Sequence, residues 1–307
     1  MSAFLRRVQN FFVHRPPLGT LVRRTYKSGM QFLDLDSYQR YLAHYLAKNQ
    51  TFEEYSANPE NEKKKYIDLN FAAYFQCYNN RRATFETLRS FRKFYPHTPV
   101  YLVSDHGEDF RDIAVHFNCD YVYAPERLDY WPTVDMVAWF ARLADACKRY
   151  PTADWMLILE EDVRTRDRIS KFPEAHLAGQ GGGDRKTPAK QLPPAAQKYL
   201  LKKYPDMEMG LVSGCGGSIF HRRSFLNCFA NANEFKTATK SLGIPSLSGA
   251  SDIAITFFFL MNGFIVRRWL DFSQDSTGYW GPAAAFDHKF KKYYGLLLTK
   301  EMLRTHE

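Results

Sequence analysis

Trp155-Met156-Leu157-Ile158-Leu159-Glu160-Glu161-Asp162-Val163 is the stretch on which the reading of this chain turns. An apolar run of strand length stops abruptly at three carboxylates. A short, continuous apolar run suits a strand buried on both faces, as in a parallel sheet. In open α/β sheets, ligands sit just beyond the carboxyl ends of such strands. Three adjacent acids there repel one another unless a positive group lies among them. Two readings follow. One is a divalent cation held by carboxylate oxygens and shared with substrate phosphates. The other is a solvated acidic turn.

Outward from this stretch the chain alternates between strand and helix signals. Phe71 to Gln76 predicts a strand and Arg81 to Tyr95 a helix, with Phe85, Leu88, Phe91 and Arg92 on one face and Pro96 as its stop. Val100 to Val103 predicts a second strand, ending in Ser104-Asp105-His106-Gly107. A short helix over Asp109 to Phe117 and a strand over Tyr121 to Tyr123 follow. Thr133 to Tyr150 predicts a long helix with Val134, Val137, Ala138, Ala141, Ala144 and Cys147 at helical spacing. The β-α-β-α-β-α-β order implies a parallel sheet with right-handed crossovers.

Beyond the acids, residues 176–198 hold Gly179, Gly181, Gly182, Gly183, Pro188, Pro193 and Pro194 and predict a long mobile loop. Met209 to Ser213 predicts a strand that leads into Gly214-Cys215-Gly216-Gly217. Glycines there allow close backbone approach to a ligand, and equally make a tight turn. Ser251-Asp252 caps an apolar helix, Ile253 to Asn262, which Gly263 closes. Phe264 to Trp269 predicts the last strand. Asp271, Asp275, Trp280, Asp287 and His288 lie in the tail.

Bulk properties narrow the class. At 307 residues and 45% apolar content, the chain can build a substantial core. Its five cysteines include no CxxC pair, so reduced thiols are expected rather than a disulfide framework or zinc site. No apolar run reaches the roughly 18–20 residues that span a bilayer, and the N-terminus lacks the apolar region of a secretory signal. A cytoplasmic or peripheral-membrane location is therefore expected. The net charge is +9, but residues 1–33 hold six basic residues and no acid, leaving +3 for the rest. The main body does not predict a nucleic-acid surface. Residues 1–33 themselves predict a basic amphipathic helix carrying Phe4, Leu5, Val8, Phe11, Phe12 and Val13. Packing on the body, contact with an anionic membrane or partner, and organelle targeting all suit it. Residues 35–56 also look helical. The expected division is an N-terminal helical extension over 1–66 and a catalytic domain over 67–307. Within the latter lie a nucleotide-binding half (67–163), the loop (176–198) and an acceptor-side half (205–307).

On the residues Phe71 to Asn80, Val100 to Asp105, Leu157 to Asp162, Gly214 to Arg222 and Ser251 to Gly263, the chain resembles the GT-A class of nucleotide-sugar glycosyltransferases. The resemblance covers about residues 68–290. It implies a GT-A-like, Rossmann-type, mostly parallel sheet flanked by helices. It also implies Mn²⁺ or Mg²⁺ at an Asp-x-Asp-like element, here Glu160-Glu161-Asp162, with Glu where the family's first Asp stands. By the same resemblance Asp162 and Glu160 are metal ligands and His288 a third, and Glu161 sits beside the donor. Gln76, Tyr78, Asn80 and Arg81 line the nucleotide pocket, Asp105 contacts the base or ribose, and Gly216 and Gly217 approach the sugar. Asp252 is the general base of an inverting reaction. Trp280 is a sugar-stacking candidate. A UDP-sugar is the favoured donor, and a glycan, lipid-linked or protein hydroxyl the acceptor. Two other classes stay open. A sugar-phosphate nucleotidyltransferase usually has a Gly-rich loop after its first strand, where this chain has Cys77-Tyr78-Asn79-Asn80. A non-catalytic nucleotide-binding scaffold would bind without turnover.

Overall fold

Strand β1, Phe71–Cys77, is buried along its whole length and lies beside the middle strand of a seven-stranded sheet. A computed structural model describes residues 66–128, 136–161, 163–179, 192–209, 216–245, 247, 251–269, 271–274 and 284–288. The chain divides between residues 64 and 65, and residues 65–307 form a unit of their own. The expected N-terminal helices, and the contacts expected of residues 1–33, lie outside the described residues.

From β1 the chain runs through α1 (Arg81–Phe94), β2 (Val100–Ser104), α2 (Arg111–His116), β3 (Asp120–Tyr123), α3 (Met136–Arg149) and β4 (Trp155–Glu160). The alternation expected from the sequence is present in this half, and all three pairings among these four strands are parallel. Then follow β5 (Arg164–Thr165), β6 (Leu177–Gly179), α4 (Pro194–Lys203), β7 (Ile219–His221), α5 (Arg222–Ala230), α6 (Ala232–Leu242), α7 (Ser251–Met261), β8 (Val266–Arg268), β9 (Phe272–Gln274) and β10 (Phe286–His288). The large sheet has the order β3-β2-β1-β4-β7-β6-β8. Strand β7 runs antiparallel to both of its neighbours, while β6 and β8 are parallel to each other. The sheet is thus mostly parallel, with one reversed strand beside β4. A small sheet, β5-β10-β9, follows the acidic stretch.

Period-two alternation explains why both faces of β1 and β4 are apolar. Ala72, Tyr74, Met156 and Ile158 share one core with Trp139 and Phe140 of α3 and the phenylalanines of α7. Phe71, Ala73, Phe75, Leu157 and Leu159 face the other core, with Phe91 of α1 and Trp269, Phe272 and Phe286. Helix α7 is buried on every side from Ala254 to Met261. Phe258 stacks on Phe140 with centroids 4.2 Å apart, a pair worth about 0.5–1.5 kcal/mol beyond its buried area. Gly263, at φ 78°, ends α7: its N–H donates to Leu260 O, and that of Phe264 to Phe259 O.

Three expectations are corrected. Residues 176–198 are not one loop, because β6 occupies Leu177–Gly179 and α4 starts at Pro194. Proline at the first helical position lacks only an N–H that would be unpaired there, so Pro194 opens α4 rather than breaking it. Phe264–Trp269 is not the last strand: β8 is shorter, and β9 and β10 follow it. In α3 the buried stripe is Met136, Trp139, Phe140, Leu143, Ala144, Ala146 and Cys147. The expected Val137, Ala138 and Ala141 are only half-buried, since the large side chains, not the small ones, determine which face turns inward. The strand expected over Met209 to Ser213 has only Met209 among the described residues, outside any strand. No described helix is long and apolar enough to cross a membrane.

Candidate functional site

The strand order places a switch point between β1 and β4. From β1 the chain moves outward to β2 and β3, then returns to β4 on the other side of β1. A crevice beyond the carboxyl ends of these strands is where an open α/β sheet takes its ligand. Gln76 and Glu160 are register partners at that edge.

On the β4 side the turn is tight, with Val163 N–H donating to Glu160 O. Glu160 is half-buried. Gly216 lies against it: a Cβ there would stand 3.0 Å from Glu160 Cδ and 2.9 Å from Val163 Cγ2. Gly217 donates its N–H to Ile158 O at 2.7 Å and has φ 94°. A Cβ on Gly217 would press to 2.4 Å from the Phe272 ring, so both space and backbone require glycine. The structure thus brings the acidic strand end and the glycine turn together. Glu161 is 4% exposed, and its Oε2 accepts from Asn80 N–H.

On the β1 side, Asn80 Oδ1 accepts from Ala83 N–H at 3.0 Å and so caps α1. The helix N-terminus therefore already faces two protein acceptors, Asn80 Oδ1 and the Glu161 carboxylate. Cys77, buried below them, donates to Val103 O. Burial, then the nearby Glu161 charge, pushes its thiol well above the ordinary range, which keeps it protonated and un-nucleophilic. The four described cysteines are all free thiols.

The β2 loop closes over this turn. A Cβ on Gly107 would overlap Tyr78 O at 1.7 Å, and Glu108 N–H donates to that same oxygen. Asp105 is 1% exposed; its Oδ1 accepts from Leu128 N–H and pairs with Arg142 of α3. Arg142 also donates to Glu126 O. This lock fixes loop 124–128, from which Arg127 lies over the Tyr78 ring at 3.6 Å. Asp105 is therefore a positioning carboxylate through Oδ1. Arg81 turns away from β4: it pairs with Asp112, donates to Asp109 O and lies 5.7 Å from the Phe110 centroid.

Asp252 sits in the first turn of α7, half-buried, and its Oδ1 accepts from Ile253 N–H at 2.9 Å. His288 ends β10. Strands β10 and β5 pair antiparallel as Phe286 with Thr165 and Asp287 with Arg164. On its other side β10 pairs in parallel with β9, His288 with Gln274. Asp162 and Trp280 themselves lie outside the described residues. Among the described residues, no group of three or more His, Cys, Asp or Glu side chains could hold a metal ion.

Sequence reasoning missed Trp139, Arg142 and Arg127. The signal lay in α3, where Arg142 follows Trp139 by three residues on a stripe otherwise apolar. The misphased helix face hid it. No protein-family model matches the chain, and no curated protein matches it.

Proposed function

We propose that the chain is a metal-dependent glycosyltransferase of GT-A type, moving a sugar from a nucleotide-sugar donor, UDP-sugar favoured, to an acceptor hydroxyl. The observation that carries this is the convergence at one switch point of β1, an acidic strand end and a glycine turn pressed against Glu160. Donor chemistry fits a hard divalent cation: Glu160, with Asp162 beside it in the chain, offers carboxylate oxygens at the mouth. His288 ends β10, the strand that pairs with β5 just after the acidic stretch. Glu160, Asp162 and His288 would hold Mn²⁺ or Mg²⁺. Such an ion neutralises charge growing on the leaving diphosphate.

The chain's own residues supply the rest. The nucleotide lies beyond β1, against Gln76 and the Tyr78–Arg127 stack. The sugar lies on the Glu160 side, next to the Gly216-Gly217 turn that packs against Glu160 and Phe272. Asp252 removes the proton from the acceptor hydroxyl as its oxygen attacks the anomeric carbon. The bond from that carbon to the phosphate oxygen breaks, the nucleoside diphosphate leaves, and configuration inverts. The acceptor is a hydroxyl on a glycan, lipid-linked or protein substrate, and the basic residues 1–33 suit an anionic membrane surface. The nucleotidyltransferase reading loses ground at α1. A helix N-terminus attracts phosphate, but here the Glu161 carboxylate and Asn80 Oδ1 already accept from its N–H groups.

The test is release of free nucleotide from a panel of UDP- and GDP-sugars with Mn²⁺, then with EDTA. Metal-dependent release from one donor is expected, and Asp252→Asn should bind donor yet lower transfer to an acceptor by roughly 10²–10⁴-fold. Nucleotide binding with no turnover of any donor or acceptor would favour a scaffold, and no binding at all would end the proposal.

A further inference from the structure

Gln76 does something its neighbours do not. It lies at the carboxyl end of β1, opposite Glu160 in β4, and is only 8% exposed. Its Oε1 accepts two hydrogen bonds, from Tyr74 O–H at 2.8 Å and Trp139 Nε1–H at 2.9 Å. An indole N–H can only donate. The atom facing Trp139 must therefore be the amide oxygen, and the amide cannot flip without breaking that bond. Tyr74 is fully buried and Trp139 is 3% exposed, closing the space beneath and beside. Gln76 stands one residue before the carboxyl end of β1 and keeps its 8% exposure at that position. Among the described residues, no protein group accepts from Nε2.

We infer that Gln76 selects the base of the bound nucleotide, presenting a fixed amide N–H₂ to the exocyclic oxygen of a keto base. Uracil and guanine carry such an oxygen. Cytosine and adenine carry an amino group at the equivalent position, which sets donor against donor. The inference rests on the nucleotide-binding reading above and adds a physical reason for the class of base. Its rigidity matters: a buried amide with its oxygen doubly held cannot rotate to present an acceptor instead, so the wrong base leaves a buried donor unmatched. Asp105 cannot take this role through Oδ1, which is committed to Leu128 and Arg142.

The experiment is titration calorimetry of the full chain with UDP, GDP, CDP and ADP, each with Mn²⁺. UDP or GDP should bind at least about tenfold more tightly than CDP and ADP, the scale of one well-made base contact. The comparison of UDP with GDP then separates the pyrimidine from the purine. Gln76→Glu is isosteric and still accepts from Tyr74 and Trp139, but its second oxygen is an acceptor. It should move the preference toward the amino-bearing base of the same ring class by about tenfold or more. A second arm needs no variant. In the unaltered protein, replacing an exocyclic oxygen of the preferred nucleotide by sulfur, a weak acceptor, should weaken binding about fivefold or more at one position. Equal affinity for all four nucleotides, or a keto preference that survives Gln76→Glu, would overturn the role of Gln76 and leave the nucleotide site standing. Absence of binding by any nucleotide would overturn both readings together.

Discussion

The two ends of β4 carry polar groups to opposite effect. At the amino end, beside Trp155, lie two histidines whose ring centroids are 6.4 Å apart, His176 and His221. Each is settled locally: His176 Nδ1 accepts from Ile265 N–H, and His221 Nδ1 meets Ser224 Oγ. Trp155 packs edge-on to His221, and Phe264 lies against His176. At the carboxyl end, Glu160 and Glu161 stand beside the Asn80 turn and two glycines, with Asp105 and Arg142 locking the neighbouring loop. One end resolves its polarity into packing. The other concentrates charge at a switch point, where a parallel sheet offers its crevice. The lesson is that polarity alone does not mark a site. What marks it is polarity that the fold gathers at the strand ends and holds in fixed orientations.

The largest expected effect breaks the carboxyl-end network. Arg142→Met removes the guanidinium that pairs with Asp105, whose side chain is 2% exposed. Removing the counter-charge of such a buried carboxylate should cost about 3–5 kcal/mol, read from urea unfolding at neutral pH. It should also weaken nucleotide binding, because loop 124–128 would no longer hold Arg127 over Tyr78. A variant as stable as the parent would remove the lock from the account.

A smaller effect sharpens the amino end. Burial lowers the proton affinity of both His176 and His221 below that of a free histidine. The two face each other. Asp154 raises and Arg222 and Arg223 lower the affinity of His221, which packs on Trp155. A group whose folded pKa lies below its unfolded value contributes full stability above the unfolded value, about 6.5. That contribution declines as pH falls toward the folded value, where the unfolded chain binds more protons. Stability should therefore drop between pH 7 and pH 5. His176→Asn keeps an acceptor for Ile265 N–H and removes the titration, so its loss over the same interval should be smaller. An unchanged pH profile in that variant would mean the pair is electrostatically silent.

Much of the first half of the fold is legible in the sequence because it is built locally. β1, β2 and β4 are apolar runs of strand length, α1 begins at an Asn cap, and most connections are short. β5, β6, β9 and β10 are two or three residues long, too short to show a periodicity, and they exist only through pairing with distant strands. β7 reverses direction for the same non-local reason. At the site, Glu160, Gly216, Gly217 and Gln76 were readable as strand ends and a turn. The roles of Asp105 and Arg81 were not. Asp105 is engaged by Arg142, 37 residues away, and Arg81 by Asp112 across a loop. No local pattern announces such partners. Trp139 was hidden by a helix face judged from small residues, when large ones set the phase.

The most direct test of the central claim, that the carboxyl ends of β1 and β4 form a metal-assisted nucleotide site, is UDP binding measured with and without Mn²⁺ in the parent chain and in Asp162→Asn. The account predicts that Mn²⁺ tightens UDP binding at least about tenfold in the parent and that Asp162→Asn loses this gain while keeping its fold. UDP affinity that is indifferent to Mn²⁺ in the parent, or a metal effect that persists undiminished in Asp162→Asn, would contradict it.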